Sequence, residues 1–255
     1  AQDDSPRWTA NIGTLWPEGT AWDDSRLKAS RPGDFESPDV NAHLYLELRA
    51  LEQMAERLGR RDEAGRWAAA ADALGEALNE TLFDGATGLY QDRHCESGEF
   101  TGYLTAGCFL PIYAGLLPQA EARAACRRYL LNPEHFYTPL PFAGVDRAHP
   151  AFLSGGALYE EPRFPGSLVQ SAYWLGRVWP HYSYWLTGAL WRSGLEAEAD
   201  AAAEQILGML AAQPSLYECY DPMTGEGIGH PEFSWGAASA LALAYRHYRN
   251  PPLPA

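Results

Sequence analysis

Two pairs of acids lie in similar surroundings near the start of the chain: Asp3 and Asp4 in DDSPRW, and Asp23 and Asp24 in AWDDSRLK. A further acid, Glu218, stands far downstream in LYECYDPMTGEG, flanked by Tyr217, Cys219 and Tyr220 rather than by basic residues. Carboxyls set among rings gather at functional sites, because a desolvated acid has a shifted proton affinity that suits proton transfer. A carboxylate that caps or braces the following turn is equally compatible with these residues. Asp221, placed before Pro222 in the same stretch, reads as a turn former.

Two acids at separate points of an aromatic-lined cleft are the minimum set for cutting a glycosidic bond. One, protonated, donates to the leaving oxygen; the other, ionised, attacks or activates water. Rings are plentiful, with nine Trp, fourteen Tyr and nine Phe, and Trp and Tyr faces stack on the apolar faces of sugars. Many fall in YWLGRVWPHYSYW, from Tyr173 to Trp185, and in PEFSWGAAS, from Pro231 to Ser239. The first stretch would suit a buried helix, but Arg177 in so apolar a setting requires a carboxylate or a ligand oxygen. A cleft wall is the better reading, with His181 as a bracing residue rather than a catalyst. Other chemistries lack their motifs: there is no G-x-S-x-G elbow, phosphate loop or G-x-G-x-x-G.

The elements that would position these residues are helical. Apolar residues recur at helical spacing from Val40 to Leu58, closed by Gly59, and again from Asp62 to about Leu82, which together predict a helical hairpin. Further helices are predicted over Leu104–Gly115, Gln119–Leu131, Leu168–Arg192, Leu195–Ala212 and Phe233–Tyr248. Alternating β-branched runs are nearly absent, so the fold class is all-α. The turns FDGATGLYQD and YDPMTGEGIG echo each other, each with Asp followed three residues later by Thr-Gly, and hint at repeated helix-loop units. A long Pro- and Gly-rich loop from Asn132 to Ser167 carries embedded aromatics and belongs to a functional face.

Composition narrows the partners. The 255 residues suffice for one large core, and the net charge of -14 has the wrong sign for nucleic acid or an anionic membrane surface. No apolar run approaches the roughly 20 residues of a membrane span, and no signal-peptide pattern is present. A soluble protein is expected, with the cytoplasm as its default compartment. The cysteines Cys95, Cys108, Cys126 and Cys219 have no C-x-x-C spacing and read as small buried thiols. His94 beside Cys95 is at most half of a metal site, so no metal and no cofactor is assigned.

Together these stretches resemble the catalytic (α/α)6 barrel of glycoside hydrolase family 63, which includes processing α-glucosidase I and mannosylglycerate hydrolases, and more distantly family 37 trehalases. Asp3-Asp4-Ser5-Pro6-Arg7-Trp8 matches the family's general-acid motif, and SPDVNAHLYLELRALEQMAERLGRRDEAGRW follows its helical hairpin. Tyr173-Trp174-Leu175-Gly176-Arg177-Val178-Trp179 matches Tyr-Trp-Arg-Gly-x-x-Trp, with Leu175 where Arg is usual. Glu218-Cys219-Tyr220-Asp221-Pro222-Met223-Thr224-Gly225 and Phe233-Ser234-Trp235 match the base motif and Phe-x-Trp.

The resemblance implies a single catalytic domain over 1–255 that forms the C-terminal part of a twelve-helix barrel incomplete at its N-terminus. It implies inverting hydrolysis of an α-glucoside or α-mannoside, with Asp3 as acid and Glu218 as base. Arg7, Trp8, Tyr173, Trp174, Gly176, Arg177, Trp179, Tyr217 and Trp235 would bind the carbohydrate. Asp23 is the second choice for the acid, its alternative being an Asx-type turn. Competing readings are a non-catalytic sugar-binding toroid, a trehalase-like hydrolase, and a transferase or phosphorylase on a similar barrel.

Overall fold

The structure, a computed structural model, describes residues 35–95, 97–149, 152, 158–160, 168–170 and 176–249. These residues form an arc of helices in two layers. The helices are α1 (Pro38–Arg57), α2 (Arg61–Thr81), α3 (Leu110–Ala114), α4 (Gln119–Ala125), α5 (Pro180–Arg192), α6 (Glu196–Ala212) and α7 (Ser234–Arg249). Along the inner layer α1, α3, α5 and α7 pack each on the next; outside it α2 lies on α1, α4 on α5, and α6 on both α5 and α7. Alternation of inner and outer helices is the plan of an (α/α)6 barrel, of which the described residues make a part.

Burial follows from sequence pattern. Outer helix α6 hides one stripe, Ala199, Ala202, Ala203, Ile206 and Leu210, at intervals of three and four residues. Inner helix α5 is buried nearly all round, including Tyr182, Leu186, Ala189, Leu190 and Trp191. On α7 the stripe Leu241, Tyr245 and Tyr248 stays exposed among the described residues.

The two rims differ. At one, α1–α2, α3–α4 and α5–α6 are joined by short turns at Leu58–Arg60, Gly115–Pro118 and Ser193–Leu195. At the other, long segments lead from each outer helix into the N-terminus of the next inner one. These, with the stretch that enters α1, carry the small strands: β2 (Phe83–Asp84) with β3 (Leu89–Tyr90), β1 (Phe35–Glu36) with β4 (Arg93–His94), β5 (Leu158–Glu160) with β6 (Leu168–Gln170), and β7 (Cys219–Tyr220) with β8 (Gly227–Ile228). The α1, α2 and α6 boundaries agree with expectation within a few residues, and α7 within one.

Three helices are shorter than the sequence predicts. Instead of Leu168–Arg192, the chain forms β6 at 168–170 and starts α5 only at Pro180. Pro180 at the first helical position fixes the start, since proline disfavours helical dihedrals in the residue before it; Trp179 is accordingly extended, with φ -110° and ψ 122°. Gly176, at φ 90°, already breaks any helix upstream. Leu104–Gly115 likewise resolves into a 3-10 turn at Ala106–Phe109 and the short α3, and Gln119–Leu131 into α4 followed by a π-helical turn, Cys126–Leu130.

Candidate active site

Glu218 lies on the long-loop rim, between outer helix α6 and inner helix α7. Immediately after it, β7 and β8 form a hairpin whose turn is Asp221-Pro222-Met223-Thr224-Gly225. Asp221 Oδ1 accepts from the backbone N–H groups of Met223 at 2.9 Å and Thr224 at 3.1 Å, and the Gly225 N–H closes the turn on the Asp221 carbonyl at 2.8 Å. Its other oxygen, Oδ2, accepts from Arg177 Nη1 at 2.6 Å. Asp221 is therefore both turn former and the carboxylate that Arg177 required. Burial by itself pushes the Asp221 carboxyl up, but the two N–H groups and the Arg177 charge outweigh it and hold the group below the usual carboxylate range.

The segment that enters α5 joins this hairpin through one β-bridge. Val178 and Tyr220 exchange backbone hydrogen bonds, each at 2.9 Å, so Gly176–Trp179 lies along β7. Two chain segments far apart in sequence are thus locked together beside Glu218. From a third direction, the Leu140 N–H donates to the Pro222 carbonyl at 2.9 Å and docks the 132–149 loop on the turn. Within that loop Phe136 and Phe142 are buried.

Glu218 itself is half-buried. Its N–H donates to the His230 carbonyl at 3.1 Å, and the His230 N–H approaches Glu218 Oε2 at 3.4 Å. Between them stands Gly229, at φ 82°; a Cβ there would fall 2.5 Å from Oε2 and 2.9 Å from Cβ of Glu218. No other residue type fits this approach without moving the carboxylate. Gly227 does the same for Tyr217, whose ring would lie 2.1 Å from an added Cβ. The backbone N–H of Tyr217 is in turn held by the Tyr220 hydroxyl at 2.8 Å.

Trp235, in the first turn of α7, is 43% exposed. One face of its indole is stacked on the His181 imidazole, with centroids 3.9 Å apart and planes within 16°. Trp179 sits behind, 6.4 Å from Trp235 and only 1% exposed, so it supports the platform rather than forming its surface. His181 is deeply buried, and burial together with the neighbouring His43 pushes its pKa down to about 3, which keeps the imidazole neutral. Nearby, Tyr182 donates from its hydroxyl to Asp39 Oδ2 at 3.4 Å, while Asp39 Oδ1 accepts from Ser37 and from the Val40 N–H at 2.8 Å. The N-termini of α1 and α5 are joined through this buried acid.

Of the residues assigned from sequence, the structure brings together Gly176, Arg177, Trp179, Tyr217, Glu218 and Trp235 on one rim. Asp3, Arg7, Trp8, Tyr173 and Trp174, together with the second-choice Asp23, lie outside the described residues. Asp39, His181 as the partner of Trp235, and Gly229 received no site role. A signal for Gly229 was present in the alternating glycines of GEGIG, which leave a strand without side chains on one face. Among the described residues no group of three His, Cys, Asp or Glu could hold a metal ion, and no helix is long and apolar enough to cross a membrane.

Residues 1–236 match the family model described as the mannosylglycerate hydrolase MGH1-like glycoside hydrolase domain. A mannosylglycerate hydrolase of Rubrobacter radiotolerans is 31% identical over 223 residues, which is 86% of this chain and 46% of that protein. The crystal structure of the GH63 mannosylglycerate hydrolase from Thermus thermophilus in complex with Tris and D-glycerate superposes with a TM-score of 0.66 at 26% identity, covering 85% of this chain and 46% of that one. A neutral trehalase from Saccharomyces cerevisiae shares the fold at a TM-score of 0.63 and 17% identity, over 86% of this chain and 39% of its own. The chain spans less than half the length of each of these relatives.

Proposed function

Because the chain belongs to the mannosylglycerate hydrolase MGH1-like glycoside hydrolase family, we propose that it carries both the acid and the base of an inverting α-glycosidase site acting on an α-mannoside or α-glucoside. Mannosylglycerate is the first substrate to try. Asp3, protonated, gives its proton to the glycosidic oxygen, which leaves with the electron pair of the broken C1–O bond. Glu218 takes a proton from a water whose oxygen bonds to C1 from the opposite face. Arg7, Trp8, Tyr173, Trp174, Tyr217 and Trp235 line the sugar, while Gly176, Arg177 and Trp179 hold the wall in place.

The observation that carries this reading is the setting of Glu218: a half-buried acid at the head of a rim hairpin, tied to the His230 backbone and with its carboxylate bounded by Gly229, on the same rim as an exposed indole. Proton NMR of the reaction tests it. Inversion releases the β-anomer first, and a first-formed α-anomer would refute the mechanism. A carboxyl separation of about 6.5 to 9.5 Å between Asp3 and Glu218 goes with the same outcome.

The alternative reading is a sugar-binding helical module without turnover. Calorimetric binding of mannosylglycerate with no release of mannose would establish it. Turnover that depends on phosphate would instead mark a phosphorylase.

A further inference from the structure

His181 is the aromatic neighbour that lies flat on Trp235. Its contacts with Trp179, Tyr182 and Trp185 are tilted or edge-on, with interplanar angles of 70°, 56° and 84°, whereas that with Trp235 is a parallel stack. The two rings come from different inner helices, α5 and α7, and so tie the entrance of α5 to that of α7. His181 is 3% exposed against 43% for Trp235. The pair is thus a half-hidden sandwich with one indole face covered and the indole still open to solvent.

We propose that His181 is a positioning residue for carbohydrate, holding Trp235 from behind so that the indole's open face serves as the platform on which a sugar ring lies. The inference rests on the reading of this rim as a sugar site. Several features fit that role. An imidazole is flat enough to back an indole along its whole face, and being neutral it leaves the indole's π-density to the C–H groups of the sugar rather than drawing it to a cation behind. His181 itself is fixed by packing: Trp185 meets it at 5.3 Å and is in turn met edge-on by His43 of α1 at 4.6 Å. Ser239 anchors the indole's own backbone by donating to the Trp235 carbonyl at 2.9 Å. A platform fixed at both ends loses little freedom when sugar binds.

The test is a double-mutant cycle read by calorimetric binding of mannosylglycerate and by its KM and kcat in the purified protein. In the presence of Trp235, H181A should weaken binding and raise KM about five- to tenfold, with a smaller change in kcat; H181F, which keeps a flat ring, should restore most of the affinity. In a W235A background, H181A should add no further loss, because the residue through which it acts is gone. Losses that multiply independently, or H181F as weak as H181A, would overturn the proposal. Should H181A not fold, H181F against H181Q makes the same comparison of ring kept with ring lost. Absence of any sugar binding to the wild-type protein refutes the platform itself. Binding without hydrolysis sinks the catalytic reading and leaves the cycle decisive.

Discussion

Two hairpins in this protein share a turn and differ in what is built on it. After α2, Asp84 Oδ1 accepts from the Ala86 N–H at 2.9 Å, Oδ2 from the Thr87 N–H and hydroxyl at 3.3 and 2.9 Å, and the Gly88 N–H closes on the Asp84 carbonyl at 2.8 Å. After α6, Asp221 holds the matching N–H groups of Met223 and Thr224 on Oδ1 alone, and Gly225 closes the turn again at 2.8 Å. Gly88 and Gly225 have φ of 74° and 75°, the left-handed conformation that both turns require. The differences lie around the turn. In the first hairpin Oδ2, already holding Thr87, takes its further donor from within, Gln91 Nε2 at 2.7 Å; in the second Oδ2 accepts from outside the turn, from Arg177. The return strand of the first carries the buried Leu89 and Tyr90, whereas that of the second is thinned by Gly227 and Gly229. Three residues before the Asp stand Thr81 in one and Glu218 in the other. The first hairpin closes on itself and fills the core. By giving up side chains and borrowing an arginine, the second opens room for an acid and a ring at the rim.

The largest expected effect breaks that comparison at its centre. E218Q should lower kcat by roughly 10²- to 10⁴-fold, the range typical of a lost general base, while circular dichroism and unfolding midpoint stay near wild type. T81V, at the corresponding place before the first hairpin, should change kcat less than about twofold. An E218Q variant of near-normal rate would remove the base assignment, whatever the first hairpin does.

Smaller, but aimed at geometry rather than chemistry, is G229A. An added Cβ at 2.5 Å from Oε2 must displace the carboxylate or the strand, and φ 82° strains any side chain. A displacement near 1 Å of a catalytic group costs about 10²-fold, so kcat should fall by about that factor, with KM changed far less. The corresponding place after the first hairpin holds Asp92, a buried residue with a full side chain. That strand has no carboxylate to make way for. A G229A enzyme of normal kcat would show that Glu218 tolerates a shift, and that the glycine serves the chain rather than the acid.

Much of this contrast was legible in the sequence, and its limits have physical causes. The D-x-x-T-G echo announced two equal turns because turn chemistry is local: the Asp oxygens bond N–H groups two and three residues on. The amphipathic pattern placed α1, α2, α6 and α7 for the same reason, each helix burying a stripe against its neighbours. The α5 entrance was misjudged because its residues are apolar in every direction; periodicity cannot separate a buried helix from an extended segment paired to β7, and only Pro180 and Gly176 mark the boundary. Arg177 calls for a carboxylate or a ligand oxygen, but the partner is a turn Asp brought across by the Val178–Tyr220 pairing, a long-range contact that no spacing encodes. The His181–Trp235 stack escaped for the same reason. Gly229 is the instructive case, since its signal was local and its meaning was not: a glycine's purpose here is the side chain of another residue.

The smallest effect tests what Arg177 adds to the second turn. Folded Asp221 has its pKa held below the ordinary carboxylate value, because the Met223 and Thr224 N–H groups and the Arg177 charge outweigh its burial. As pH falls below about 4, the unfolded chain binds a proton at this position before the folded one does, so the folded state loses stability there; between about pH 5 and 7 both states are ionised and the contribution is constant. Urea unfolding of wild type and D221N at a series of pH values isolates this group from the buried His181 and His149, whose folded pKa values of about 3 and about 4 make them weaken the fold from a higher pH, near 6.5, downward. The wild-type advantage over D221N should be level above about pH 5 and shrink below about pH 4, with a slope no steeper than about 1.4 kcal/mol per pH unit. In an R177M background one of the three stabilising partners of the carboxylate is gone, so the advantage on the plateau should be smaller and its total loss on acidification less. An identical pH profile with and without Arg177 would mean that the turn N–H groups alone hold the charge, and that the arginine serves only to tie the α5 entrance to the hairpin.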